Sequence, residues 1–334
     1  MSAQSTPIVL AQGLSKTYRI AEKQPGLKGT FRHLLRRRYR DLEAVKGIHF
    51  AIEEGEMVGF LGPNGAGKTT TLKMLSGLIH PSGGELLVAG AKPQRRQARF
   101  LQDITLVMGN KQQLIWDLPP WDSIRVNAAV YGIPEGVMQR RVRELADLLE
   151  LGEELHRPVR KLSLGQRMKA ELLTSLLHEP RVLFLDEPTL GLDVTAQGRV
   201  RDFLATYNRR TGATILLTSH YMGDITALCE RVLLIHEGAL FHDGHLGELT
   251  SRLAPHRQVR LELQQPQPRQ VFEAFGTVES HQEHQVQLLV PREQLTETVA
   301  ALLGRFDVLD LEVSDPPIED LMRSLFQQAG ENEA

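Results

Sequence analysis

Eight residues constrain this chain more than any others. Gly62-Pro63-Asn64-Gly65-Ala66-Gly67-Lys68-Thr69 fits the pattern G-x-x-x-x-G-K-[ST]. The apolar run Met57–Leu61 precedes it, and a helix is expected over residues 67–78, ended by His80-Pro81-Ser82-Gly83-Gly84. Strand, glycine loop and helix in that order make a phosphate cradle. Glycines permit positive φ, so successive N–H groups converge on an anion. The helix N-terminus adds the positive end of its dipole. Lys68 is placed to reach β- and γ-phosphates, the Thr69 hydroxyl to bind Mg²⁺, and Thr70 to join the nucleotide contacts. A chance glycine turn is the competing reading, and it leaves the flanking strand and helix unexplained.

Residues 8–14, 43–52, 86–89, 104–108, 182–185, 214–218 and 232–236 read as further strands. Several lack polar alternation, as strands buried on both faces do. Helical stretches at 138–151, 164–178 and 197–207 fall between them, so the expected fold is α/β with a mostly parallel sheet. The length of 334 residues suits two domains, and 41% hydrophobic residues excludes a disordered chain. No apolar run approaches the ~18 residues of a membrane span. Residues 1–15 lack a charged start followed by an apolar stretch, so no leader is expected. The lone Cys229 has no partner for an internal disulfide.

Composition shifts near residue 250. Beyond it there is no Lys but eleven Gln, and seven basic residues face fourteen acidic ones. Strands at 259–263, 285–290 and 308–313 and helices at 267–275 and 292–304 suggest a small acidic α+β domain. The expected division is therefore 1–250 and 251–334. No part has the overall charge of a nucleic-acid-binding domain.

Two further segments carry chemistry. Val182-Leu183-Phe184-Leu185-Asp186-Glu187 is an apolar strand ending in two carboxylates. Asp186 is placed to hold Mg²⁺ and Glu187 to polarise an attacking water. Leu162-Ser163-Leu164-Gly165-Gln166 precedes a helix, and Ser163 with Gln166 three residues on fits a capping box. A plain N-cap with no ligand is the other reading of Ser163. A second phosphate-seeking helix N-terminus makes sense if it faces the γ-phosphate held by another copy.

In these motifs and their order, residues 8 to about 250 resemble the nucleotide-binding subunits of ABC transporters, whose signature reads LSGGQ. The resemblance implies a P-loop ATPase domain with a helical subdomain at about 111–165, ATP and Mg²⁺ as ligands, and a head-to-tail dimer enclosing two nucleotides. It implies phosphate contacts from Ser163, Gly165 and Gln166, although Leu164 stands where the family has a glycine. It makes His220, in Leu217-Thr218-Ser219-His220, the switch histidine beside Glu187. Together with Lys68, those two would be the catalytic residues. It makes Asp193, in Gly191-Leu192-Asp193, the residue that crosses the dimer interface. It gives Tyr18 an adenine-stacking role, although an aromatic at a strand end is more often core. The family's metal-contacting glutamine falls at Asn110, shorter by one methylene or roughly 1.5 Å. Gln112 and Gln113 are alternatives for that role.

Pro25-Gly26-Leu27-Lys28, Trp116-Asp117-Leu118-Pro119 and Arg157-Pro158-Val159-Arg160-Lys161 look like one branch of the family, bacterial exporter ATPases with an insertion before the P-loop. That resemblance implies separate integral-membrane permeases, a cargo that is often a drug-like or toxic compound and sometimes a lipid or glycan, and a peripheral place on the cytoplasmic face of the inner membrane. The insertion, about 21–42, belongs to an N-terminal fifty residues with ten basic and three acidic side chains. At helical spacing, Leu27, Phe31, Leu34, Leu35 and Leu42 take one side and Lys28, Arg32, Arg36, Arg37 and Arg40 the other. Such a helix lies on an anionic membrane, against a permease, or on its own domain. Trp116 and Trp121 read as permease anchors or as core. A soluble ABC-type ATPase of translation or DNA repair is the alternative function. One cassette per chain and no heptad run count against it. A non-catalytic nucleotide-binding regulator is a third reading.

Overall fold

The computed structural model describes residues 6–21, 39–109 and 113–316. Its contacts divide the chain into two units, Met1–Gly244 and His245–Ala334, a few residues before the composition boundary.

The first unit holds two sheets. β1 (Val9–Ala21) lies between β2 (Tyr39–Ile52) and β4 (Gly83–Val88) in a three-stranded antiparallel sheet. The second sheet has the order β5-β6-β7-β3-β8-β9. Its strands are β3 (Met57–Leu61), β5 (Ile104–Met108), β6 (Val182–Asp186), β7 (Thr214–Thr218), β8 (Arg231–His236) and β9 (Ala239–His245). The ladders β5–β6, β6–β7, β7–β3 and β3–β8 are parallel. Every residue of β6 and β7 is buried, which is why their apolar runs show no alternation.

Seven helices of this unit are described: α1 (Lys68–Leu75), α2 (Ala98–Asp103), α3 (Pro120–Val130), α4 (Glu135–Leu149), α5 (Leu164–Leu176), α6 (Val194–Thr211) and α7 (Met222–Leu228). α1 ends three residues earlier than expected, because Ser76 and Gly77 turn the chain through bonds to Leu72 O and Met74 O. α3, α4 and two short 3₁₀ turns occupy the stretch between β5 and α5.

One expectation needs correction. Residues 39–42 do not extend a basic helix; they pair with β1, with Tyr39 opposite Ala21 and Leu42 opposite Tyr18. Tyr39, Arg40, Asp41, Leu42 and Glu43 are all exposed along this end of the strand, so no buried position marks it in the sequence. Residues 22–38, with the rest of the basic face, lie outside the described residues.

The second unit begins with α8 (Leu246–Leu253). It continues β10 (His256–Leu263), α9 (Arg269–Phe272), β11 (Thr277–Gln282), β12 (Gln285–Pro291), α10 (Leu295–Arg305), β13 (Val308–Ser314). The strand order β11-β12-β10-β13 with all-antiparallel ladders is a split β-α-β arrangement. Val259, Leu261, Val286, Leu288 and Val290 from alternate strand positions close its core with Phe272 and Leu302. The helix expected at 267–275 shrinks to four residues, Arg269–Phe272, with Pro268 at its N-cap and Gly276 at φ 158° just before β11.

Candidate functional site

The phosphate loop joins β3 to α1 and is wedged against backbone. A Cβ on Gly62 (φ 150°) would stand 2.1 Å from Ile235 O, and one on Gly67 (φ 106°) 2.5 Å from Ala44 O. Both positions require glycine for space as well as for φ. Ala66 O accepts from Gly238 N–H at 3.0 Å, and Gly238 O accepts from Lys46 N–H at 2.7 Å. Gly65 (φ 84°) is open on its outer side. Pro63 and Asn64 complete the turn, and Ala66 N–H donates to Pro63 O at 3.2 Å.

Lys68 is 7% exposed, and its ammonium donates to Gly62 O at 2.6 Å and Pro63 O at 3.0 Å. Burial holds its pKa below the usual lysine value; Glu187 and Asp186 pull it back up. A buried cation whose acceptors are neutral carbonyls is poised for an anion. Thr70, one residue past Thr69 on α1, is half-buried.

The end of β6 meets this loop directly. Thr69 Oγ1 donates to Asp186 Oδ2 at 3.0 Å, and Thr218 Oγ1 donates to Asp186 Oδ1 at 2.8 Å. Thr218 also accepts the Glu187 N–H, at 3.0 Å on Oγ1 and 3.1 Å on its carbonyl. Glu187 has φ 56°, a left-handed backbone that a non-glycine residue keeps only where its neighbours over-determine it. His220 Nε2 lies 2.8 Å from Glu187 Oε1, and both side chains retain solvent access. The structure thus gathers Lys68, Thr69, Asp186, Glu187 and His220 around one loop. Thr218 was quoted in the sequence without a role; only the tertiary contact shows that it anchors both carboxylate residues. Gly109 was also missed. Its N–H donates to Asp186 O at 2.8 Å, and a Cβ there would stand 2.2 Å from Glu187 O.

The signature segment forms the N-terminus of α5. Ser163 Oγ accepts from Gln166 N–H at 3.2 Å, and Gln166 Oε1 accepts from Ser163 N–H at 3.0 Å, a complete capping box. Gln166 also donates to Glu154 Oε1. Gly165 packs on Ala196, where a Cβ would find Ala196 Cβ at 3.0 Å. Leu164 is half-exposed, beside Gly191 (φ 74°). Asp193 caps α6 by accepting from Ala196 N–H at 2.8 Å. Ser163, Gly165, Gln166 and Asp193 therefore share one neighbourhood on the outer surface, and the polar side chains among them already have local partners.

Tyr18 is half-buried on β1, with the Lys16 ammonium 5.2 Å from its ring centre. Its partner Leu42 lies two residues along β2 from Ala44, whose carbonyl backs Gly67. Asn110 and Gln112 lie outside the described residues. Gln113 is turned back to β5, its amide donating to Leu106 O at 3.1 Å, while its N–H and that of Leu114 reach Glu171 Oε1 on α5. Trp116 is half-exposed under the Arg167 guanidinium, 4.6 Å away, and Trp121 sits 5.3 Å from the His156 ring.

The site suits a Mg²⁺–nucleotide. Thr69 and Asp186 offer hard oxygens at the mouth of an N–H-rich loop, the donor type Mg²⁺ takes.

Known proteins share the fold that carries this site. Residues 45–190 match the family described as "ABC transporter", and residues 255–314 match "EvrA-like ABC transporter, C-terminal domain". The chain is 34% identical over 217 residues to the ABC transporter ATP-binding protein NatA of Bacillus subtilis, covering 64% of this chain and 88% of that protein. It is 32% identical to the linearmycin resistance ATP-binding protein LnrL of the same organism, covering 66% and 70%. It is 35% identical to the Nod factor export ATP-binding protein I of Burkholderia orbicola, covering 68% and 71%. Among solved structures, an ATP-binding subunit of an ABC transporter superposes with a TM-score of 0.61 at 24% identity, over 73% of this chain and 92% of that one. A dimeric ATP-binding cassette in a post-hydrolysis state, bound to ADP and phosphate, superposes with a TM-score of 0.57 at 23% identity, over 71% and 98%.

Proposed function

The chain belongs to the ATP-binding subunits of ABC transporters, and on that premise we propose that it is the hydrolysing subunit of an exporter with separate permease chains. The observation that carries this reading is the bonded set Thr69–Asp186–Thr218–Glu187–His220 beside Lys68. The loop N–H groups and Lys68 bind and neutralise the β- and γ-phosphates. Thr69 and Asp186 would hold Mg²⁺, and Asn110, outside the described residues, is the further ligand proposed for it. When bound, the ion draws charge from the phosphate oxygens. Glu187 orients the attacking water and takes up its proton at the carboxylate, and His220 fixes that carboxylate. Tyr18 stacks on the adenine. The α5 N-terminus with Ser163, Gly165 and Gln166, together with Asp193, meets the nucleotide of a second copy in a dimer. The chemistry is ATP + H₂O to ADP and phosphate, and its use is to move the permeases.

The exporter reading is supported by relatives whose names specify export or resistance. A drug-like or toxic compound is the cargo class we favour. Among the described residues no helix is long and apolar enough to cross a membrane. The place proposed for the chain is the cytoplasmic face of the inner membrane, beside its permeases. An open groove of about 450 Å³ lined by Leu78, Leu101, Met108, Gln113 and Tyr131 is where we place permease docking.

The test is affinity purification of Glu187→Gln protein from native membranes with ATP present, followed by mass spectrometry. Polytopic membrane proteins in the eluate support the reading. Recovery of ribosomal or DNA-repair proteins from the soluble fraction overturns it.

A further inference from the structure

Behind the candidate base and the switch histidine lies a buried carboxylate with no part in the chemistry above. Asp224 stands in the first turn of α7 and is fully buried. Its Oδ2 accepts the hydroxyls of Thr189 and, at 2.7 Å, Ser219. Its Oδ1 accepts from Arg201 Nη1 on α6 at 3.0 Å. Ser219 Oγ in turn accepts the Tyr221 N–H at 3.0 Å. The two hydroxyl arms end at telling places. Thr189 is two residues after Glu187 on the loop that leaves β6, and its carbonyl accepts Leu192 N–H at 3.2 Å in the turn leading to Asp193. Ser219 is the residue before His220 on the loop that leaves β7. One carboxylate therefore joins the two loops whose side chains must meet at the Glu187–His220 contact.

The economy of the arrangement argues for more than packing. A buried charge is costly to keep unless every lone pair is satisfied and a counter-charge is near. Here Arg201 supplies the counter-charge and two hydroxyls from separate loops supply the bonds. A methyl or an aliphatic side chain would fill the same space at less cost, but would leave the loops free to slide along each other. At β6 and β7 themselves the loops are fixed by Thr218, which bonds Asp186 and Glu187. Those bonds lie at the strand ends, whereas Asp224 ties the two loops farther out, through the residue next to His220 and the residue two past Glu187.

We infer that Asp224 is a positioning residue for hydrolysis, holding His220 against Glu187 through Ser219 and Thr189. The inference rests on the reading of Glu187 as the base. Its effect falls on turnover and not on ATP affinity, because the phosphate loop is backed by Ala44, Ile235 and Gly238 and by none of these residues.

The experiment is single-turnover ATP hydrolysis by the full chain, with equilibrium ATP binding and thermal melting measured on each variant. Asp224→Asn keeps the shape and removes the charge. It should lower turnover by about 10–100-fold while ATP affinity stays within about threefold. Thr189→Val, which leaves the Arg201 pair in place and serves should Asp224→Asn fold poorly, should lower turnover by about tenfold. The double variant should be no slower than Asp224→Asn, since both cut one connection. Turnover within about threefold of wild type in a folded Asp224→Asn or Thr189→Val protein overturns the inference. So does loss of ATP affinity in step with turnover, or multiplication of the two effects in the double variant. Glu187→Gln is measured alongside. If it hydrolyses ATP normally, the base reading fails and takes this inference with it; if it is inactive while Asp224→Asn is active, only this inference fails.

Discussion

Gly109→Ala is a sharp test of how closely the Glu187 backbone is held. Gly109 follows β5, and its N–H bonds Asp186 O at 2.8 Å. An added Cβ would stand 2.2 Å from Glu187 O, whereas real Cβ contacts stay beyond 3.0 Å. The two backbones must therefore part by roughly 0.8 Å, the difference between those distances, and neither is a flexible side-chain end. Overpacking of this kind costs about 1–3 kcal/mol of stability. A displacement of about 1 Å at a reacting group costs on the order of 100-fold in rate. Single-turnover hydrolysis should fall by about that factor, with ATP binding retained, since the atoms nearest the added Cβ belong to Glu187 and Asp186 and not to the backing of the phosphate loop. Urea unfolding should show the stability loss. Gly136→Ala is the companion measurement. A Cβ on Gly136, in the first turns of α4, meets nothing within 4 Å, so stability should rise by about 0.5–1 kcal/mol and turnover stay unchanged. Wild-type turnover in Gly109→Ala would refute the claim that the Glu187 peptide is fixed by close contact.

Thr218→Val keeps its volume but strands Asp186 Oδ1 and leaves the Glu187 N–H only the carbonyl of residue 218; urea unfolding should show a loss of about 1–3 kcal/mol, and hydrolysis should fall. Glu171→Gln should preserve or raise stability, because burial pushes the Glu171 carboxyl above the ordinary value while its Oε2 has no partner among the described residues. The sign follows from linkage: a carboxyl raised on folding opposes stability as pH climbs past its unfolded value near 4.5, so the Gln advantage should appear above that pH and vanish below it. Cys229 is buried, and burial, with Asp224 adding to it, pushes its thiol up to about 12. A thiol reagent at pH 8 should label it only as denaturant unfolds the chain. Labelling at the native plateau would refute that.

Much of this architecture was legible before any coordinates. β3, β5 and β7 have the expected limits, because a strand covered on both faces is apolar at most positions and carries no exposed charge to blur them. The phosphate loop was legible because its chemistry needs small residues at fixed spacing. β11 was not: of Thr277–Gln282 only Val278 is buried, so an edge strand of polar residues resembles a loop. The extension of β2 to Tyr39 was hidden in the same way, by exposed charged residues that suit either a strand edge or a helix face. Thr218, Gly109 and Asp224 matter through partners dozens of residues away, and a one-dimensional pattern carries no trace of such meetings. Ser163 shows the reverse case. Its capping box was visible from spacing and is fully formed.

The backing of the phosphate loop has a thermodynamic corollary. Because Ile235 O, Ala44 O and the Gly238 turn hold the loop from behind, its shape is settled when the domain folds. The entropy of ordering it is thus charged to the folding equilibrium and not to association with a ligand. Calorimetry of ATP binding should then report a small heat-capacity change, that of a nucleotide entering a rigid receptor rather than of a segment folding around it.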